Sequence, residues 1–374
     1  MSPKIAYFIS PHGYGHAARA SAVMTALKMR KPSLHFEIFT KVSPVFFEQS
    51  LGPAFGYHTL LSDIGLVQKN SLVEDMAATA DALAEFLPFE ADLVEALAGQ
   101  VQRLGCQLIL CDIAPLGIAV AQAAGIPSVL IENFTWDWIY EGYLAEAPRL
   151  KVHLLYLQEM FAAADYHIQT APICAPQAVD LTTLPVSRKP RRSATQIRRQ
   201  LEVPAEARLV MMTMGGNDAW NYPLLDRLER LSDLYFVIAN NSHTQAKRAN
   251  LFILPRHSDF FHPDLVNAAD VLIGKVGYST LAEVYQAGVP FGYLIRPKFR
   301  ESGPLKAFIN ANMSGLEITI AEFNSGRWLY RLPELLALPR RQLDEINGAD
   351  KIATFIDGIL GLDNNQKEEN YDLT

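Results

Sequence analysis

Four strand-to-helix junctions in the chain carry glycine, hydroxyl and ionisable residues close together. In the first, SPHGYGHAAR (residues 10–19), Gly13 and Gly15 permit a tight turn, and His16 stands near the start of the next helix. Such a turn can present backbone N–H groups and a helix dipole to an anion. It lacks the third glycine of the dinucleotide fingerprint, because Ala18 occupies that place. His16 is a candidate general base; its competing role is to cap its own helix. In the second junction, Asp112 closes the apolar run LILCDI. A carboxylate there can orient a histidine and stabilise its protonated form. The alternative is a helix N-cap ahead of Pro115.

The third junction, MMTMGGND (residues 211–218), places Gly215 and Gly216 after a hydrophobic strand, followed by Asn217. The glycine pair allows close approach of a ligand to the backbone; the alternative is a plain turn. The fourth, IGKVGYSTLAEVYQAGVP (residues 273–290), leads from a strand into Gly277, Tyr278, Ser279 and Thr280 and then a helix bearing Glu283. Free N–H groups and two hydroxyls make an anion site. Glu283, one turn further on, can accept two hydrogen bonds from a vicinal diol, so a diphosphate and a ribose match the arrangement in scale. A capping box that uses Ser279 or Thr280 with Glu283 is the competing explanation.

These junctions need a scaffold that gathers strand ends. Short β-branched and aromatic runs (KIAYFIS, LHFEIFT, QLILCDI, PSVLIEN, ADYHIQT) alternate with helical patterns, including residues 15–30 and a helical stretch over 71–104 broken at Pro88. The alternation implies a parallel sheet covered on both faces. Residues 171–192 are Pro-rich and aperiodic and read as a linker, after which the alternation restarts at RLVMMTMGG. The expected fold class is α/β: two doubly wound, Rossmann-like parallel-sheet domains facing across a cleft. Their expected bounds are 1–180, a linker and first helix at 181–205, a second domain at 206–340, a closing helix at 341–362 and a disordered acidic tail at 363–374.

The 374 residues, 49% hydrophobic and 20% charged, suit two domains with their own cores. A net charge of −7 disfavours nucleic acid or an anionic membrane as partner. Cys106, Cys111 and Cys174 match neither a metal site nor a disulfide framework, which points to a reducing cytoplasm. No signal peptide and no run of membrane-spanning length are expected.

The segment GKVGYSTLAEVYQAGVP resembles the donor-binding region of GT-B glycosyltransferases of the family 28 type, which includes the peptidoglycan enzyme MurG. HGYGHAAR resembles that family's N-terminal glycine loop. Over nearly the whole chain, HGYGHAAR, ENFTWDWIYEGYL, MTMGGNDAWN and LIGKVGYSTLAEVYQAGVPFGYLIRPKFRESGPL are similar to the N-terminal glycosyltransferase-like domain of plant L-arabinokinases. No phosphate loop of the sugar kinase domain that follows there is recognised. The resemblance implies a GT-B architecture with an N-terminal acceptor domain and a C-terminal donor domain. It implies that Glu283 holds the donor ribose and residues 277–280 the diphosphate, with Gly215, Gly216 and Asn217 lining the donor. In the loop PRHSDFF, His257 and Phe260 are weaker candidates for the base. Glu301 in FRESGP stands where an acidic residue binds sugar hydroxyls, but Ser302 replaces the usual following Gln.

The same resemblance makes His16 the base and Asp112 its orienting acid, with His12, Gly13 and Gly15 on the acceptor side. The aromatic stretch NFTWDWIYEGY offers Trp136 and Trp138 as an acceptor wall, or else core packing. The implied activity is inverting, metal-independent transfer of a sugar from a nucleotide sugar, a UDP-sugar by analogy, to a hydroxyl acceptor. The nucleotide sugar is a co-substrate, and no bound cofactor or metal is expected. A nucleotide-sugar 2-epimerase and a non-catalytic nucleotide-sugar-binding regulatory module remain open alternatives.

Overall fold

The computed structural model describes residues 3–70, 73–214, 222–242, 245–255, 258–342 and 345–361. The tail at 363–374 and the candidates Gly215, Gly216, Asn217 and His257 lie outside these residues. The chain divides into two compact units. The first is built from residues up to Val67, from Asp75 to Arg188 and from Ile346 onward, and the second from Gln68–Glu74 and Lys189–Glu345.

Strands β1 (Lys4–Ile9), β2 (His35–Thr40) and β3 (Gly56–Thr59) open the first unit. A short antiparallel pair, β4 (Gln68–Asn70) and β5 (Val73–Glu74), belongs to the second. The first unit continues with β6 (Cys106–Asp112), β7 (Ser128–Glu132), β8 (Tyr166–Thr170) and β9 (Leu181–Thr183). Its seven strands pair in parallel in the order β3-β2-β1-β6-β7-β8-β9. The chain thus steps outward from β1 to β3 and then returns to place β6 on the other side of β1. Both faces are covered, so β1 and β6 are continuously apolar rather than alternating: Ile5 to Ile9 and Leu108 to Cys111 are fully buried.

The helix Tyr14–Arg30 lies against this sheet through Ala17, Ala20, Val23, Met24 and Leu27, the alanines allowing close approach. Ile352, Ala353 and Ile356 of the helix Gly348–Ile359 complete the same core. That helix begins later than residue 341 because Asn347 caps it, its side chain accepting from the Ala349 N–H at 3.0 Å. The stretch 171–192, expected as irregular linker, contains β9. Three residues hydrogen-bonded to a sheet edge are too few to leave a period.

The second unit contains β10 (Arg208–Thr213), β11 (Leu234–Ser242), β12 (Ala246–Arg248), β13 (Leu251–Pro255), β14 (Val271–Lys275), β15 (Phe291–Leu294) and β16 (Gly315–Glu317). Their order is β12-β13-β11-β10-β14-β15-β16, parallel except at the β12–β13 edge. Here too the winding reverses, between β10 and β14. In open α/β sheets the crevice at such a reversal, beyond the carboxyl ends of the strands, receives ligands. Each unit therefore has one favoured place for a site: after β1 and β6 in the first, after β10 and β14 in the second. No helix of the described residues is long and apolar enough to cross a membrane.

Candidate active site and donor-binding residues

In the first unit, Ile9 of β1 is in register with Asp112 of β6, and the Ser10 N–H donates to the Asp112 carbonyl at 3.2 Å. The glycine loop therefore departs beside Asp112. Gly13, at φ +76°, turns the chain into the helix that starts at Tyr14. His16 lies in the first turn, 8% exposed, with its Nδ1 2.9 Å from Asp112 Oδ1. Arg19, one turn further, meets the same carboxylate with both arms: Nε to Oδ2 at 2.8 Å and Nη2 to Oδ1 at 2.6 Å. Its Nη1 donates to Asn133 Oδ1 at 2.7 Å. Burial alone would raise the Asp112 carboxyl, but the Arg19 guanidinium and the hydrogen bonds from His16 and Arg19 outweigh it and hold the group below the usual carboxylate range.

An ionised carboxylate only accepts, so His16 Nδ1 carries the hydrogen and Nε2 offers the lone pair of the neutral ring. The chain then turns sharply at Ile113, whose φ of 42° is a strained value for a β-branched residue. His16 and Asp112 are thus brought together, and neither caps a helix through its side chain.

A second buried carboxyl went unread in the sequence. Asp63, in the loop after β3, accepts from Ser10 Oγ at 2.9 Å and from Trp136 Nε1 at 3.0 Å. Burial, partly offset by these two donors, pushes its carboxyl up to about 7. Two residues on, Gly65 sits at φ +61° with no room for a side chain, since a Cβ would lie 2.6 Å from the His12 ring. His12 Nδ1 accepts from the Leu66 N–H at 3.2 Å, and its ring meets Trp136 edge-on at 5.1 Å. The only signal in the sequence was the SDIG turn, which follows a strand of four residues.

Of the two roles open to it, wall or core, Trp136 takes the core. It is 1% exposed, stacked 5.8 Å from Tyr140 and hydrogen-bonded to Asp63, so its ring faces the interior. Tyr140 and Tyr143 are buried as well, and Trp138 is partly buried. Aromatic density marked the segment, but it could not tell which way the rings point.

In the second unit, β14 ends at Lys275, and the helix Tyr278–Ala287 starts after Gly277 with no side-chain cap. The capping box weighed from the sequence does not form: with Gly277 as N-cap, Thr280 takes the third helical place and Glu283 lies a turn beyond it. Glycine at the N-cap brings no side-chain oxygen of its own to the first amide groups at the positive end of the dipole. Gly277 has extended backbone (φ −153°), and a Cβ there would meet nothing within 4 Å. Its missing side chain leaves space in front of the helix rather than serving a turn.

Tyr278 is buried, and Ser279 and Thr280 are half-buried. Glu283 is 4% exposed, and its Oε2 lies 2.6 Å from Nδ1 of His262, the first residue of the helix His262–Ala268. His262 was not singled out in the sequence; its place before Pro263 at a helix start was the available signal. Phe260 belongs to the apolar core of this unit rather than to an open surface. Glu301 is buried at the entrance of the helix Ser302–Asn312, its carbonyl accepting from Leu305 N at 3.1 Å. Among the described residues no three His, Cys, Asp or Glu side chains group as a metal site would need.

No protein-family model matches the chain. It is 26% identical over 357 residues to the L-arabinokinase of Arabidopsis thaliana, an alignment covering 94% of this chain and 34% of that protein. The chain thus spans about a third of the length of the curated relative it matches. Among solved structures, the glycotransferase of kitacinnamycin superposes with a TM-score of 0.64 at 16% identity, covering 96% of this chain and 99% of that one. MurG of Acinetobacter baumannii superposes with a TM-score of 0.53 at 15% identity, covering 96% and 100%. The chain has the GT-B fold of these glycosyltransferases, and its sequence is similar along nearly all its length to part of L-arabinokinase.

Proposed function

We propose that the chain transfers a sugar from a nucleotide-sugar donor, a UDP-sugar in the first instance, to a hydroxyl acceptor, with inversion and without a bound metal. The observation that carries this reading is the 2.9 Å contact of His16 Nδ1 with Asp112 Oδ1 where the first sheet reverses its winding. The fold shared with solved glycosyltransferases supports the reaction class. His16 Nε2 takes the acceptor proton while Nδ1–H stays on Asp112. The freed electron pair forms the new bond to the anomeric carbon, and the bond from that carbon to the diphosphate oxygen breaks, its pair leaving with the diphosphate. His12, Gly13 and Gly15 flank the acceptor.

Charge on the departing diphosphate is met by the amides after Gly277, with the Ser279 and Thr280 hydroxyls and the dipole of the helix they begin. Preorganised donors of this kind supply the electrostatic role that a divalent cation fills elsewhere. Glu283, steadied by His262 at its Oε2, accepts from the ribose diol. Gly215, Gly216 and Asn217, next in the chain after β10, and the loop with His257 complete the donor assignment, and Glu301 is the candidate for a sugar hydroxyl. The test is release of nucleoside diphosphate from a panel of nucleotide sugars, with and without acceptors, by wild type and H16A. Release that depends on His16 is expected. Equal release by both proteins, or conversion of the donor to an epimer without acceptor, contradicts the proposal.

A further inference from the structure

The feature of the first unit that a histidine–aspartate pair does not require is Arg19. It is 1% exposed, and its guanidinium occupies both oxygens of Asp112 and Asn133 Oδ1. Its Nη2 also comes within 3.5 Å of His16 Nδ1. When Nδ1 carries the hydrogen that Asp112 accepts, this last approach sets two donors side by side and is no hydrogen bond. It places a permanent cation against the imidazole.

A carboxylate paired only with a histidine favours the imidazolium form, because the opposite charge is close and desolvated. Here the carboxylate is already neutralised by a guanidinium that is always charged. The rings of Phe134 and Trp136, from the segment after β7, lie 6.1 and 6.3 Å from the imidazole; beyond Trp136 stand His12 and Asp63, the latter tied to Ser10 and Trp136, and Asn133 lies on Arg19. The one carboxyl among them, Asp63, is already engaged by two donors.

We propose that Arg19 is a positioning residue that fixes the Asp112 carboxylate and the His16 tautomer while opposing protonation of the ring, so that His16 stays a neutral base with Nε2 available. This rests on the reading of His16 as the base. It extends that reading to the control of the base: Asp112 orients His16, and Arg19 sets how readily it holds a proton. In the transfer step the imidazolium forms beside a cation, so the proton is held weakly and passes on to solvent once the diphosphate has left.

The test is a titration of the unliganded full chain labelled with ¹³C-histidine, in wild type, R19Q and R19K. The nine histidines are separated by assigning His16 through its loss in H16Q. Removing the guanidinium leaves the imidazole alone with the carboxylate, so the R19Q midpoint should rise by about one pH unit or more. R19K keeps the charge, and its midpoint should stay near that of wild type while its melting temperature falls. An unchanged midpoint in folded R19Q overturns the proposal. So does an R19K midpoint raised as far as that of R19Q, because the effect would then be one of packing. If R19Q does not fold, N133D takes its place: an added carboxylate against Arg19 Nη1 should raise the midpoint, and no rise overturns the proposal. The readout involves no substrate, so a failed transfer assay leaves it intact, and an unmoved midpoint leaves the transfer reading intact.

Discussion

Asp112 and His16 meet at 2.9 Å although 96 positions separate them in the chain. They do so because β6 returns to lie beside β1, so that the residue ending one strand faces the loop leaving the other. Given that contact, H16A should lower transfer by about 10²–10⁴-fold, the usual contribution of a positioned general base. The melting-temperature rise produced by a bound nucleotide sugar should stay the same in H16A. Loss of both together, measured on one preparation, would make His16 a structural residue.

Asp112 behaves differently under substitution. D112N leaves the buried Arg19 guanidinium without its counter-charge, and breaking such a pair from one side destabilises by roughly 3–5 kcal/mol. D112N should therefore melt well below H16Q in the same buffer. Equal melting temperatures would mean that the Arg19–Asp112 contact is not what holds this end of the sheet.

The scaffold and the two strand-end sites were legible in the sequence because glycine and polar residues interrupt long apolar runs there, as at Gly13, His16, Asp112, Gly277 and Glu283. What escaped lacks a period. Asp63 sits in an irregular loop, β9 has three residues, and His262 opens a seven-residue helix. Arg19 read as one more helical residue, since nothing in a sequence says which helix face meets a carboxylate from 93 positions away. Trp136 stayed undecided for the complementary reason: an aromatic ring suits a binding wall and a core equally well.

Gly277 separates ligand binding from folding. Its backbone is extended and a Cβ meets nothing, so G277A should fold and melt like wild type to within about 0.5 kcal/mol. If a diphosphate approaches the amides after it, the methyl group should weaken nucleotide-sugar binding about tenfold or more. Calorimetric titration showing unaltered affinity would remove the diphosphate from this helix end.

Glu283 and His262 should act as a pair. E283A removes the acceptor of the ribose hydroxyls and should weaken nucleotide binding by about 1–3 kcal/mol, with a smaller loss for H262A, which only frees the carboxylate to rotate. A larger loss in H262A than in E283A, by the same titration, would reverse the assigned roles.

Asp63 gives a pH signature. Its carboxyl is raised to about 7 in the folded chain from an ordinary 3.8, so the folded state holds a proton that the unfolded state has released between those values. Its contribution is fully favourable below about pH 4, declines as pH rises, and is lost above about 7, with an upper limit on the order of 4 kcal/mol. The stability of D63N relative to wild type should therefore increase from pH 4 to pH 7. A difference independent of pH over that window, by denaturant unfolding, would place an ionised Asp63 in the native core.

Every role proposed above requires a nucleotide sugar as co-substrate. The direct measurement is the melting temperature of the full chain with UDP-, GDP-, dTDP- and ADP-sugars, because a ligand bound only by the native state stabilises it by about 2.7 kcal/mol at a hundredfold excess over Kd. At least one of these donors should raise the melting temperature by several degrees in wild type and much less in E283A. No rise with any of them at millimolar concentration, or a rise that E283A leaves undiminished, would contradict the account.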